Sequence, residues 1–238
     1  MTATTAHASA TRETGPGALL RAALIAVIVL GPLSIAVLRA ILPYGTNDDS
    51  ATIAAKVAEH QTAQTVQLWL TLIAMTTLVP GVIAVGLLAA RNARVLGIWG
   101  MALAVAGFSL LWAITTTDFT ALAGAQSGIG LDATTKVIDN LNSSPAQMVA
   151  TTVFVIGHII GTSLIGVALL RARAIAIWAA WALIVSQPLH FVFAVIVPSS
   201  ALDAAAWGLT TIGFGAAALS NNAVAKQASS PIAVSNRP

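Results

Sequence analysis

Six stretches of the chain, 18–42, 66–89, 95–117, 148–170, 174–198 and 201–220, are almost wholly apolar. Each reaches the roughly 20 residues that a helix needs to cross the hydrocarbon core of a bilayer. Inside lipid only helices and closed barrels satisfy their own backbone N–H and C=O groups. The runs are continuous and show none of the ten-residue alternation of a barrel strand, so helices are predicted. Composition agrees: 57% of residues are hydrophobic and 8% charged, against about 25% charged in a soluble domain. The expected fold is therefore all-α, a polytopic bundle of six transmembrane helices over 18–220. Residues 1–17 and 221–238 are polar, and are expected to be disordered cytoplasmic ends. A cleaved signal peptide is the rival reading of 18–42, but its apolar core would be only about 7–15 residues long.

The charges are distributed unevenly between the gaps. Arg12, Arg21, Arg91, Arg94, Arg171, Arg173, Lys226 and Arg237 fall on one side, and Arg39, Lys56 and Lys136 on the other. Short basic loops mark the cytoplasmic face, so both termini are expected inside. Asp48, Asp49, Glu59, Asp118, Asp132, Asp139 and Asp203 lie opposite. This asymmetry accounts for the sequence pI near 10.0 without a nucleic-acid partner, and no basic cluster is long enough to follow a phosphate backbone. The richness in Ala, Val and Leu suggests a GC-rich bacterial genome and hence a bacterial plasma membrane. The chain contains no cysteine, which excludes disulfides, thiolate nucleophiles, Fe–S clusters and Cys-type zinc sites. Trp69, Trp112 and Trp207 fall toward the outer ends of their helices, and Trp99 and Trp178 toward the inner ends, as interfacial rings do.

Two outer loops exceed what a connection needs. In the first, Asp48, Asp49 and Ser50 are suited to cap a short helix with Ile53, Val57 and Ala58 on one face. In the second, Asp132 is suited to cap a helix bearing Ala133, Val137, Ile138 and Leu141. Both are expected to be amphipathic and to rest on the outer surface, as lids or as plain interfacial helices.

The second span carries Leu78-Val79-Pro80-Gly81-Val82, then Gly86-Leu87 and a short Arg91–Arg94 turn. The fourth ends Gly166-Val167-Ala168-Leu169-Leu170-Arg171-Ala172-Arg173, Ile177-Trp178-Ala179-Ala180 opens the fifth, and Asp118 closes the third. Over about 18–220 the chain resembles a broad group of uncharacterised six-helix membrane proteins of actinobacteria. The resemblance implies the six-helix fold. Its motifs are hydrophobic, so it carries over no functional residue, and the group has no established activity.

Polar side chains within spans are rare, and mark function or helix pairing. They concentrate in the outer halves of the spans: Gln64, Gln67 and Thr71; Ser109 and Thr116, with Asp118 beyond them; Thr151, His158 and Thr162; Gln187 and His190; and Asp203 and Thr210. The inner halves are dry. The expected site is an outward-facing polar cavity lined by Gln67, Thr71, Asp118, His158, Gln187 and His190. Three readings fit the two histidines: hydrogen bonds that tie helices together, a polar or proton-handling site, or ligation of zinc or haem iron, with His158, His190 and Asp118 as the zinc set. Gly157 and Gly161 form a GxxxG expected to pack within the bundle, and Pro80 and Pro188 are expected to kink their helices. No triad order, phosphate loop or metalloprotease motif is present. The leading expectation is a non-enzymatic protein without a cofactor, embedded in lipid, that binds or moves a small polar or lipidic molecule. A structural or signalling-partner subunit and an intramembrane metal hydrolase or haem protein are the rivals.

Overall fold

A computed structural model describes residues 16–229. It is all-helical in that range: α1 (Pro16–Ile41), α2 (Ser50–Glu59), α3 (Gln61–Asn92), α4 (Arg94–Ser109), α5 (Leu111–Ser127), α6 (Leu131–Asn142), α7 (Pro145–Arg171), α8 (Ile177–Phe191) with a π-helical turn at Val192–Ile196, and α9 (Ser200–Ser229). Six helical stretches are long and apolar enough to cross a membrane, the makeup of a multi-pass membrane protein. Large apolar side chains around the outside, among them Leu19, Trp69, Val95 and Ile177, are exposed, which suits a lipid solvent and not water.

The spans form a closed ring. Each packs on its neighbour in chain order, α1 on α3, α3 on α4, α4 on α7, α7 on α8 and α8 on α9, and α9 returns to α1. Short connections between consecutive helices favour antiparallel neighbours. Turns of a few residues join α3 to α4 and α7 to α8 beside Arg91, Arg94, Arg171 and Arg173. The opposite end carries α2 and α6. Toward the basic end the ring is filled by Leu78, Val82, Val85, Ile165, Leu169, Leu183 and Phe214, all buried.

Two boundaries differ from the sequence expectation. The third span does not end at Thr117. It breaks at Leu110, whose φ of −102° and ψ of 12° leave the helical region, and resumes as α5 for nine residues beyond Asp118. Those residues are mostly small or good helix formers, and the first strong breaker is Gly128, in the left-handed region at φ 68°. Asp118 is thus a mid-helix residue. The sixth span continues as helix past residue 220 to Ser229, since no proline or glycine intervenes before Pro231. The remainder of the two ends expected to be disordered, 1–15 and 230–238, lies outside the described residues.

In α2, Asp49 is the N-cap and accepts from the Thr52 backbone N–H at 2.7 Å. Ile53, Ala54 and Val57 form its buried face, with Ala54 in place of Ala58. In α6 the cap position belongs to Gly130 and Asp132 sits in the first turn. Its buried face is Thr134 and Ile138, while Ala133 and Val137 are exposed. The helix is rotated because Thr134 packs directly on Gly124 of α5, where a Cβ would meet the Thr134 hydroxyl at 2.2 Å. In α7, Ser144 accepts from the Gln147 N–H and Pro145 takes the first turn, a start suited to a residue with no N–H of its own.

The tightest seam joins α4 and α7. A Cβ on Gly107 would lie 2.4 Å from the backbone nitrogen of His158, and one on Gly161 would lie 2.3 Å from that of Ala104. The GxxxG glycines therefore serve contacts inside the bundle, where small residues let backbones approach closely. Gly161→Leu is expected to lower stability by about 1–3 kcal/mol or more, the cost of overpacking a filled seam. Gly208→Ala, where nothing lies within 4 Å, is expected to change little. Thermal unfolding of the two variants in detergent checks this.

Candidate functional site

A cavity of about 480 Å³ lies inside the ring at the α2/α6 end. Side chains from α1, α2, α3, α5, α6, α7, α8 and α9 reach it, so every span contributes to its wall. The volume falls within the range of small-molecule sites. Two buried carboxylates dominate the polar side chains of and behind the wall, and their surroundings differ.

The first is Asp203, in the opening turn of α9 and fully buried. Arg39, in the last turn of α1, donates from Nε to Asp203 Oδ2, and its Nη2 donates to Thr46 Oγ1 at 2.5 Å. His190, at the end of α8, bonds through Nδ1 to the other oxygen, Oδ1. The carboxylate is acceptor-only, so Nδ1 carries the proton and donates. Trp207 Nε1 lies 3.1 Å from the same Nδ1. A nitrogen that donates its single proton to a carboxylate has no lone pair for the indole, so this is an edge contact between rings at 62° and not a second hydrogen bond. Burial of an ion pair is tolerated where both partners are held by good hydrogen bonds, and Asp203 has one on each oxygen.

The second carboxylate is Asp118 of α5, 5% exposed. Its Oδ1 accepts from the Tyr44 hydroxyl and from Gln64 Nε2 at 2.9 Å. Its Oδ2 accepts from Gln67 Nε2 at 3.3 Å. Gln64, Gln67 and Thr71 stand three and four residues apart, which places them on one face of α3. Gln64 also donates to Gln67 Oε1 at 3.0 Å, and Gln67 to Thr71 Oγ1 at 3.3 Å. Burial, then the neighbouring Asp118 carboxylate, holds the Tyr44 phenol well above its ordinary range, so Tyr44 stays a neutral donor at physiological pH. All three donors to Asp118 are neutral.

His158 sits behind the cavity wall. Its Nδ1 is 2.6 Å from the Phe154 carbonyl oxygen and so donates to it. Its ring stacks on Phe154 at 4.3 Å and lies 5.5 Å from the His190 ring. The antiparallel pairing of α7 and α8 thus does bring the two histidines side by side. Gln187, three residues before His190 on α8, donates to Thr210 at 2.7 Å. His158 Nε2, Thr162 Oγ1 and Gln187 Oε1 are buried without a hydrogen-bond partner among the described residues.

Of the six residues expected to line one cavity, Gln67, Thr71, Asp118 and His190 do so. His158 lies one ring behind, and Gln187 faces α9. The proposed zinc set is not assembled: among the described residues no three His, Asp or Glu side chains stand close enough to hold a metal ion. Asp118 is bound to α3 and Tyr44, while the histidines sit on α7 and α8.

Sequence reasoning missed Tyr44, the Arg39–Asp203 pair and the position of Trp207. Trp207 is 2% exposed and not interfacial, because Asp203, Trp207, Thr210 and Phe214 form one buried stripe along α9. The available signal was a lone Arg and a lone Asp near the same end of the first and last spans, charges that a bilayer leaves unpaired only at high cost. Compared with protein-family models, curated proteins and solved structures, the chain matches none.

Arg39→Leu leaves the buried Asp203 without its cation and is expected to cost about 3–5 kcal/mol. The double variant Arg39→Leu, Asp203→Leu is expected to recover part of that loss. Unfolding midpoints of the two single variants and the double, read as a mutant cycle, check the coupling.

Proposed function

We propose that this chain is a plasma-membrane protein that binds a small amphipathic molecule in the cavity at its α2/α6 end, without chemical transformation of it. The observation that carries the reading is the shape of the ring interior. It holds a cavity walled by hydrogen-bonded polar groups and by Ile35, Leu38, Leu111 and Phe154 at one end, and a filled apolar plug at the other. A structural subunit has no need of such a space, and a continuous pore has no place for such a plug. A carrier open to one side suits both. The basic loops on α3–α4 and α7–α8 support an orientation with that end cytoplasmic, both termini inside, and the cavity facing outward. The composition favours a bacterial plasma membrane.

The cysteine-free sequence makes single-cysteine labelling direct. Asn142→Cys at the cavity mouth is expected to react with an impermeant maleimide on intact cells, and Ala93→Cys only after permeabilisation; the reverse pattern would invert the orientation. For binding, native mass spectrometry of the wild-type protein is expected to show a retained small molecule or lipid. Thr115→Phe fills the cavity at a residue whose hydroxyl bonds only its own helix, at the Trp112 carbonyl, and is expected to reduce that species at least tenfold. Equal retention by both proteins, or by neither, would sink the binding reading.

A further inference from the structure

The charges around the cavity do not balance. Asp48, Asp49, Asp118 and Asp139 line it, and the one Lys or Arg among the lining residues is Arg39. Arg39 is committed to Asp203 and Thr46. Lys56 lies outside the lining and is held by Asp48 at 2.7 Å. At the mouth, hydrogen bonds from Lys56 and the Gly45 N–H keep the Asp48 carboxyl below its usual range, and the Thr52 backbone N–H does the same for Asp49. Both are therefore anionic at neutral pH. The field inside the cavity is negative, and a low-dielectric wall focuses it.

Asp118 is where this imbalance matters most. Asp203, equally buried, is met by a guanidinium and an imidazole. Asp118 is met by a phenol and two amides, which satisfy lone pairs and supply no positive charge. A buried carboxylate without a cation is expensive, and hydrogen bonds alone offset only part of the cost. Its two oxygens are also unequally served. Oδ1 has two donors, whereas Oδ2 has one, at the long distance of 3.3 Å. Room remains at Oδ2 for a donor that carries charge. Elsewhere on its wall the cavity presents the aromatic rings of Tyr44, Phe154 and Trp207 and the aliphatic Ile35, Leu38, Leu111 and Ile114. Aromatic faces attract cations, more strongly once both are desolvated.

We propose that the cavity selects protonated organic amines, with Asp118 Oδ2 accepting the ammonium N–H and the aromatic and aliphatic wall holding the organic body. The inference rests on the cavity being a binding site, as proposed above, and adds the class of ligand. An N–H is required and a positive charge alone is not enough, because Oδ2 lacks a close donor. The amine carries its own proton in, so no co-reactant is needed. A soluble amine and the headgroup of an aminophospholipid share this chemistry.

The test is a series of four probes with one aryl-alkyl body: 2-phenylethylamine, its trimethylammonium analogue, 2-phenylethanol and 3-phenylpropionate. Their affinities are measured by titration calorimetry on the full-length protein in phosphatidylcholine nanodiscs. The amine is expected to bind at least tenfold more tightly than the alcohol, more tightly than the trimethylammonium analogue, and with the carboxylate weakest. Asp118→Asn is expected to remove the preference for the amine over the alcohol. Should that variant not fold, the wild-type ranking still decides. Carboxylate or alcohol binding at least as tight as the amine would overturn the proposal, and so would an amine preference that survives Asp118→Asn. If a non-amine probe binds at least as tightly as the amine and Thr115→Phe abolishes that binding, the cavity reading stands and the amine inference alone fails. If no probe binds and native mass spectrometry shows no retained species, both fail together. Displacement of the amine by phosphatidylethanolamine, and not by phosphatidylglycerol, in the nanodisc would identify the lipid headgroup as source; indifference to both would identify a soluble amine.

Discussion

A guanidinium cannot be left unpaired among six apolar helices, and its pairing decides how this ring closes. Arg39 ends the first span and Asp203 begins the last, 164 residues apart. The bond between them holds α1 against α9, the one junction of the ring that chain connectivity does not supply. The same carboxylate orients His190 on α8, so three spans meet at one buried group. The glycine seam between α4 and α7 sets the opposite side of the ring by close backbone approach. Between these two fixed sides the ring is wide enough at one end for a cavity and narrow enough at the other to be filled by Leu, Val and Phe.

Much of the architecture was legible because it depends on local sequence. The six spans follow from run length alone, and the internal role of Gly157 and Gly161 from residue size. The gathering of Gln67, Thr71, Asp118 and His190 at one cavity follows from the uneven depth of polar residues along antiparallel helices. What was not legible depends on rotation about helix axes and on distant closure. Trp207 looked interfacial by its depth, and only the inward stripe from Asp203 to Phe214 shows that it faces the interior. Thr134 displaced Val137 from the buried face of α6 because Gly124 offers a notch that sequence alone does not place opposite it. Arg39 reads in the sequence as a topological charge, because its partner lies 164 residues away. The break at Leu110 has neither proline nor glycine at the break itself, so no local signal announced it.

The two buried carboxylates divide the labour of the ring. Asp203 has its charges matched from within the protein and serves as a structural knot. Asp118 has three neutral donors, only one of them on Oδ2, and no bonded cation, so the protein itself leaves its charge unmatched. The histidine pair, which drew attention in the sequence, does not form a metal site with Asp118. His190 is tied to the knot, and His158 is stacked behind it against Phe154.

The break at Leu110 makes the third span two bodies. The lower one, α4, is locked to α7 by glycine contacts. The upper one, α5, packs mainly with α6 and α2, and Asp118 rides on it, while Gln64 and Gln67 ride on α3. A tilt of the α2–α5–α6 layer about Leu110 would therefore part a carboxylate from its amides. The seating of α5 against α3 therefore sets how closely the carboxylate is held, so the packing of the capping layer and the local potential at Asp118 are fixed by the same contacts.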